Sequence, residues 1–153
     1  MRLVIVRHAT AQERGSVKDD SKRELVSKGV EQAENTALQI KPLVTRCSNV
    51  YIWTSPLTRA WQTAKIIEDV LDIHYIQQKD FIENGTSLQL IEEMKQLDGT
   101  DCLIVVGHEP NVSEWTSDIT GRQVHYKKGQ AALLEFKDRK YVEDSLVMLQ
   151  RKE

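Results

Sequence analysis

The chain has 153 residues, with 21 Lys and Arg against 23 Asp and Glu for a formal net charge of −2. That length suits one domain, read as spanning residues 1–153, large enough to bury a core without metal staples. The near-balanced charge excludes the global basic field of a nucleic-acid binder. A hydrophobic share of 40% with 29% charged residues excludes a disordered chain. No apolar run nears the roughly 18 residues that span a bilayer, so no membrane partner is expected. The first run, Leu3–Val6, leads directly into Arg7 and His8 and does not read as a signal peptide. Cys47 and Cys102 lie far apart outside any CxxC spacing. They are expected to be reduced, in a cytoplasmic protein, with Cys102 filling core.

In chain order, Leu3–Val6 is a continuous β-branched run, the pattern of a strand buried on both faces. Residues 9–26 are polar, carry Gly15 and Asp19-Asp20, and read as a long loop. Ser27 suits the cap of a helix with the stripe Val30, Ala33, Ala37 and Ile40, ended by Pro42. Val50–Trp53 is a second strand. Ser55 as N-cap and Pro56 at the first helical position then open a helix with the stripe Leu57, Ala60, Ala64, Ile67 and Leu71. Ile73–Ile76 reads as a short strand, followed by a loop through Gly85. Ser87 opens a helix with Leu90, Ile91, Met94 and Leu97 inward. Cys102–Val106 is the most apolar strand, and Pro110 starts a helix carrying Val112, Trp115 and Ile119. Ala131–Phe136 and Leu146–Leu149, separated by the charged turn Lys137–Lys140, suggest an antiparallel hairpin at a sheet edge. The alternation predicts an α/β three-layer sandwich, with a mostly parallel central sheet and helices on both faces.

Polar chemistry collects where three strands end. The first ends in Arg7-His8, the second in Thr54-Ser55-Pro56 with Arg59 one turn on, and the Cys102–Val106 strand in Gly107-His108-Glu109. In open α/β sheets ligands sit beyond these carboxyl ends, beside helix N-termini whose free N–H groups favour anions. Two imidazoles and two guanidinium groups at one edge suit a phosphoryl group, which needs several fixed donors and an in-line nucleophile. Each residue alone has a plainer reading: a capping or core His8, surface arginines, a turn at His108. A metal is not expected, because His108-Glu109 is followed by Val112 where a second ligand would stand. No GxSxG occurs, so Ser55 reads as a cap and not as a nucleophile.

At these residues the chain resembles the histidine phosphatase superfamily, the phosphoglycerate-mutase-like fold. Arg7-His8-Ala9 resembles its RHG motif, and the stretch from Thr54 to Ala64 is similar to SPLxRAxQTA. Val106-Gly107-His108-Glu109-Pro110-Asn111 resembles the VGHEP segment of small SixA-type phosphohistidine phosphatases, and Arg23-Glu24-Leu25 with Ser27 and Gly29 resembles their RPLTxxG segment. The resemblance implies that His8 is a nucleophile phosphorylated on a ring nitrogen. It also implies that Arg7 and Arg59 bind phosphoryl oxygens, that His108 donates from the opposite side, and that Arg23 adds a contact. No cofactor is implied. Two departures stand out: Ala9 replaces the usual glycine, on backbone expected to tolerate Ala, and Glu83 falls where many SixA-like chains have proline.

An acidic residue near position 83 serves as general acid in mutase-like relatives; otherwise Glu83 is a solvated loop residue. Glu109 is a second candidate acid, or a group that orients His108 or caps its helix. An alkoxide leaving group needs a proton whereas a leaving imidazole needs little help, so Glu83 separates two substrates. The expected substrate is phosphohistidine on a signalling partner such as a histidine-phosphotransfer domain, met by a monomer with an open pocket. The alternatives are a small phosphate ester, with Glu83 as acid, and a silent phosphate-binding module. His74 and His125 are expected to have no role.

Overall fold

The computed structural model describes residues 1–151. Its strands are β1 (Arg2–Arg7), β2 (Val50–Thr54), β3 (Ile76–Gln78), β4 (Cys102–Gly107), β5 (Ala131–Lys137), β6 (Lys140–Tyr141) and β7 (Val147–Met148). The helices are α1 (Ser27–Val44), α2 (Thr58–Leu71), α3 (Phe81–Asn84), α4 (Ser87–Met94) and α5 (Asn111–Thr120). The sheet order is β3-β2-β4-β1-β5-β6, with β7 also paired to β5. β1 to β4 run parallel, and β5 turns antiparallel against β1.

The apolar runs read as buried on both faces separate into two cores. Leu3, Ile5, Leu103 and Val105 face α4 and α5, where they meet Leu90, Met94, Val112 and Trp115. Val4, Val6, Ile104 and Val106 face α1 and α2, meeting Ala37, Ile40, Ala60, Ala64 and Ile67. The period of two along a strand thus distributes one hydrophobic run between two helical layers. Among the described residues no helix is long and apolar enough to cross a membrane.

Several boundaries differ from the sequence expectations, each for a local reason. Ser27 is the first residue of α1 rather than its cap, which is Val26 without a side-chain bond. Pro42 lies inside α1, which continues to Val44; near the C-terminal end its missing N–H forfeits a single hydrogen bond. Helix α2 starts at Thr58, later than the serine-proline pair implies, because Ser55 is turned toward the site described below. Asp72 takes a left-handed conformation at the end of α2, displacing β3 to Ile76–Gln78. The loop expected through Gly85 holds the four-residue α3, too short for hydrophobic periodicity to reveal. Ser87 opens α4 as expected, and Thr86 before it caps the helix through a reciprocal capping box with Gln89. Pro110 precedes α5 as its cap position. In the tail Asp138 and Arg139 both have positive φ, closing a tight β5–β6 hairpin, while β7 returns to pair Ala132 and Leu133.

The cysteines require a larger correction. Cys47 and Cys102 are joined as a disulfide, with Cα atoms 5.8 Å apart. Their sequence separation of 55 hides the proximity. It arises because the turn before β2 runs beside the start of β4: Ser48 N–H donates to Thr100 O at 3.0 Å and Cys102 N–H to Asn49 O at 2.9 Å.

Gly29 ties α1 to the segment after β1. A Cβ at this position would run into the Thr10 carbonyl oxygen, while Thr10 N–H and Oγ1 both bond Gln32 Oε1, at 3.0 and 2.9 Å. Gly29→Ala is expected to destabilise the fold by about 1–3 kcal/mol, the usual cost of overpacking against backbone. Thermal melts check this, and an unchanged midpoint would refute the close approach.

Candidate active site

Parallel register brings the three strand ends together. Arg7 pairs with Gly107 across β1 and β4, and Thr54 with Val106 across β2 and β4. The residues just beyond continue the ladder: His8 N–H donates to Gly107 O at 3.0 Å, and Ser55 N–H to Val106 O at 3.1 Å. His8, Ser55 and His108 therefore leave adjacent strands at one level. The His8 and His108 rings lie 5.2 Å apart between centroids, tilted by 54°.

His8 is 8% exposed. Its Nδ1 donates to the Ala9 carbonyl at 2.8 Å, which fixes the tautomer and leaves Nε2 with its lone pair. Burial, reinforced by His108, Arg59 and Arg7 and opposed by the Ala9 bond, pushes its pKa down to about 3. His108 is pushed down to about 4, by burial first and then by Arg59, Arg23 and Arg7. Both rings are neutral at neutral pH. Ala9 is fully buried without positive φ, as expected, and its N–H donates to Thr63 Oγ1 at 3.1 Å. Thr63 in turn donates to the Arg59 carbonyl at 2.8 Å, coupling the loop after β1 to the first turn of α2.

The three arginines are all brought in, each tethered by part of its guanidinium. Arg7 Nη1 donates to the Tyr126 carbonyl at 2.8 Å. Arg59, 7% exposed, donates from Nη1 to the Asp20 carbonyl at 3.2 Å and lies 3.6 Å from the Asp20 carboxylate. Arg23, 8% exposed, donates from Nε to that carboxylate at 2.8 Å and from Nη1 to the Gln12 carbonyl at 2.8 Å. Burial lowers the pKa of Arg7 and of Arg59, yet a guanidinium stays charged in any accessible range. Arg7 Nε, Arg59 Nε and His108 Nδ1 are buried with no hydrogen-bond partner among the described residues. Buried unpaired polar groups of this kind cost about 1–3 kcal/mol each, and a ligand anion is the natural complement of the guanidinium donors among them.

The two candidate acids separate. Glu83 is exposed on α3; its carboxylate makes no hydrogen bond among the described residues, but its charge acts on Arg59. Its main-chain carbonyl accepts from Asn111 Nδ2 at 2.8 Å. Glu109 is engaged elsewhere: it accepts from Ser113 N–H at 3.0 Å and Ser113 Oγ at 2.6 Å, holding the first turn of α5, and meets His125 Nδ1 at 3.2 Å. Its capping reading is the one the contacts match. His74 is exposed, 3.9 Å from Asp72.

Sequence reasoning missed Ser55, Thr63 and Asp20 as members of this cluster. Ser55 and Thr63 lie within the segment quoted from Thr54 to Ala64, so their motif was in view while their contacts were not. Asp20 stands three residues before Arg23, a spacing that turns meaningful once the 3-10 turn Asp20–Lys22 places both beside Arg59.

The model of the histidine phosphatase superfamily (branch 1) matches residues 3–100. An uncharacterised protein of Picosynechococcus is 28% identical over 135 residues, covering 84% of this chain and 81% of that one. The structure of the protein histidine phosphatase SixA complexed with tungstate superposes with a TM-score of 0.83 at 19% identity, over 97% of each chain. Phosphoserine phosphatase of Entamoeba histolytica in complex with 3-phosphoglyceric acid superposes at 0.73 and 17% identity, over 97% of this chain and 98% of that one. With its strand-end histidines and arginines gathered in one cup and most of its length matched by the family model, the chain belongs to the histidine phosphatase superfamily.

Proposed function

We propose that the protein hydrolyses phosphohistidine on a partner such as a phosphotransfer protein, through a phosphorylated His8. The carrying observation is the state of His8: neutral, with Nδ1 held by Ala9 and Nε2 free to attack without first losing a proton. Nε2 bonds to phosphorus as the phosphorus–nitrogen bond to the substrate imidazole breaks, and that ring, protonated on its other nitrogen, takes the bonding electron pair and leaves as neutral imidazole. Arg7 and Arg59, with Arg23 beside them, offset charge on the equatorial oxygens. His108 donates to one of these oxygens. Water then attacks phospho-His8, giving inorganic phosphate and restoring the ring.

Protein-borne phosphohistidine is supported by the likeness of the whole fold to the protein histidine phosphatase SixA, at a TM-score of 0.83. The deciding experiment compares kcat/KM for a phosphorylated phosphotransfer domain with a panel of phosphate esters. A higher value for any ester would overturn the choice of substrate.

One observation favours the ester reading: the charge of the exposed Glu83 carboxylate acts on Arg59. Glu83→Gln is expected to slow any ester hydrolysis by about 10²-fold, the usual contribution of a general acid, and to leave phosphohistidine hydrolysis within about twofold. Equal effects on both substrates would remove Glu83 from proton transfer.

A further inference from the structure

Ser55 is fully buried at the end of β2, and its hydroxyl touches two groups. It accepts the Leu57 N–H at 3.1 Å and lies 2.6 Å from Nε2 of His108. A serine hydroxyl carries one proton and two lone pairs. One lone pair takes the Leu57 amide; the proton then has the Nε2 lone pair of a neutral imidazole as its acceptor. The surroundings keep that imidazole neutral, since burial and the cations Arg59, Arg23 and Arg7 outweigh the Asp20 carboxylate. The other ring nitrogen, Nδ1, is buried without a partner among the described residues.

We propose that Ser55 sets the tautomer of His108, donating its hydroxyl proton to Nε2 so that the ring proton stays on Nδ1, ready for a phosphoryl oxygen. Ser55 is a positioning residue, acting through His108. A neutral imidazole has one N–H, and when free in water it favours the proton on Nε2. Without the serine the ring reverts toward that form, and Nδ1 turns a lone pair toward an anion. The bond would become a repulsion. The consequence for catalysis rests on the phosphatase reading, whereas the tautomer itself does not.

Nitrogen NMR of the full chain, with isotope-labelled histidines near neutral pH, reads the tautomer directly. The wild-type protein is expected to show His108 protonated on Nδ1. Ser55→Ala should shift it toward Nε2–H, and Ser55→Thr, which keeps the hydroxyl, should restore it. In parallel Ser55→Ala should lower kcat/KM by about tenfold, the value of one hydrogen bond of this kind, with Ser55→Thr within about threefold of wild type. A wild-type His108 protonated on Nε2, or an unchanged tautomer in Ser55→Ala, overturns the proposal, and the wild-type spectrum decides even if the alanine variant fails to fold. The spectrum needs no turnover. The predicted tautomer in a protein without phosphatase activity would therefore sink the functional reading alone, and the opposite tautomer in an active enzyme would sink Ser55 alone.

Discussion

Replacing His8 with Ala is expected to lower turnover at least about a thousandfold while leaving inorganic phosphate bound within about threefold of the wild-type affinity. In the proposed mechanism the cup has two separable functions. Bond formation to phosphorus needs the Nε2 lone pair, which no other group at that level supplies: His108 is committed through Nε2 to Ser55, and the arginines cannot act as nucleophiles. Losing a covalent nucleophile removes the pathway rather than slowing it, so the residual rate is what binding and charge offset alone can support. In the proposed mechanism anion binding rests on Arg7 and Arg59, whose tethers to the Tyr126 and Asp20 carbonyls do not involve His8. Rates with a phosphorylated protein substrate and titration with phosphate check both halves. An alkaline quench of the wild-type enzyme should also trap the acid-labile phosphoenzyme, and the variant should trap none. Substantial turnover in pure His8→Ala protein would end the nucleophile assignment.

The second large effect concerns acid. The fold is expected to lose several kcal/mol of stability as pH falls from the ordinary histidine range to about 4. His8 is held down to about 3 and His108 to about 4, both chiefly by burial, against the ordinary histidine value of 6.5. In that window the unfolded chain takes up protons that the folded chain refuses. The unfolded state therefore binds more protons, and stability falls with falling pH, by about 1.4 kcal/mol per unit for each ring. Above 6.5 the effect vanishes, and below the folded values it saturates. Urea titrations at a series of pH values should show the decline, and His8→Ala should decline less steeply by one proton's worth. Parallel slopes in wild type and variant would show that burial does not hold His8 neutral. Activity should outlast part of this loss, because both rings stay unprotonated until the pH nears their folded values.

What could be read from the residues divides along a physical line. Long apolar runs such as Leu3–Val6 and Cys102–Val106 identify strands covered on both faces, and the polar residues that end them identify the site, because strand ends and ligand edge coincide in this architecture. Arg7, His8, Arg59 and His108 were accessible that way, and Arg23 through its motif. Contacts that depend on side-chain direction were not. Ser55 beside proline has the appearance of a helix cap, and only coordinates show its hydroxyl turned to His108. The Cys47–Cys102 bond and the Asp20 pairing of Arg23 with Arg59 join segments that sequence spacing keeps apart. The four-residue helix α3 spans barely one helical turn, so no repeating pattern marks it.

The strand order β2-β4-β1 has a consequence for how the molecule comes into being. The central partner of both His8-bearing β1 and Ser55-bearing β2 is the strand translated after them, and it also delivers His108. A nascent chain leaving the ribosome up to residue 100 thus holds β1 and the β2–β3 pair without the strand that joins them, and His8 remains solvated and loosely placed. Insertion of β4 between them is a long-range event, of the kind that folds slowly. Competence to bind an anion should then arrive in a single late step rather than accumulate.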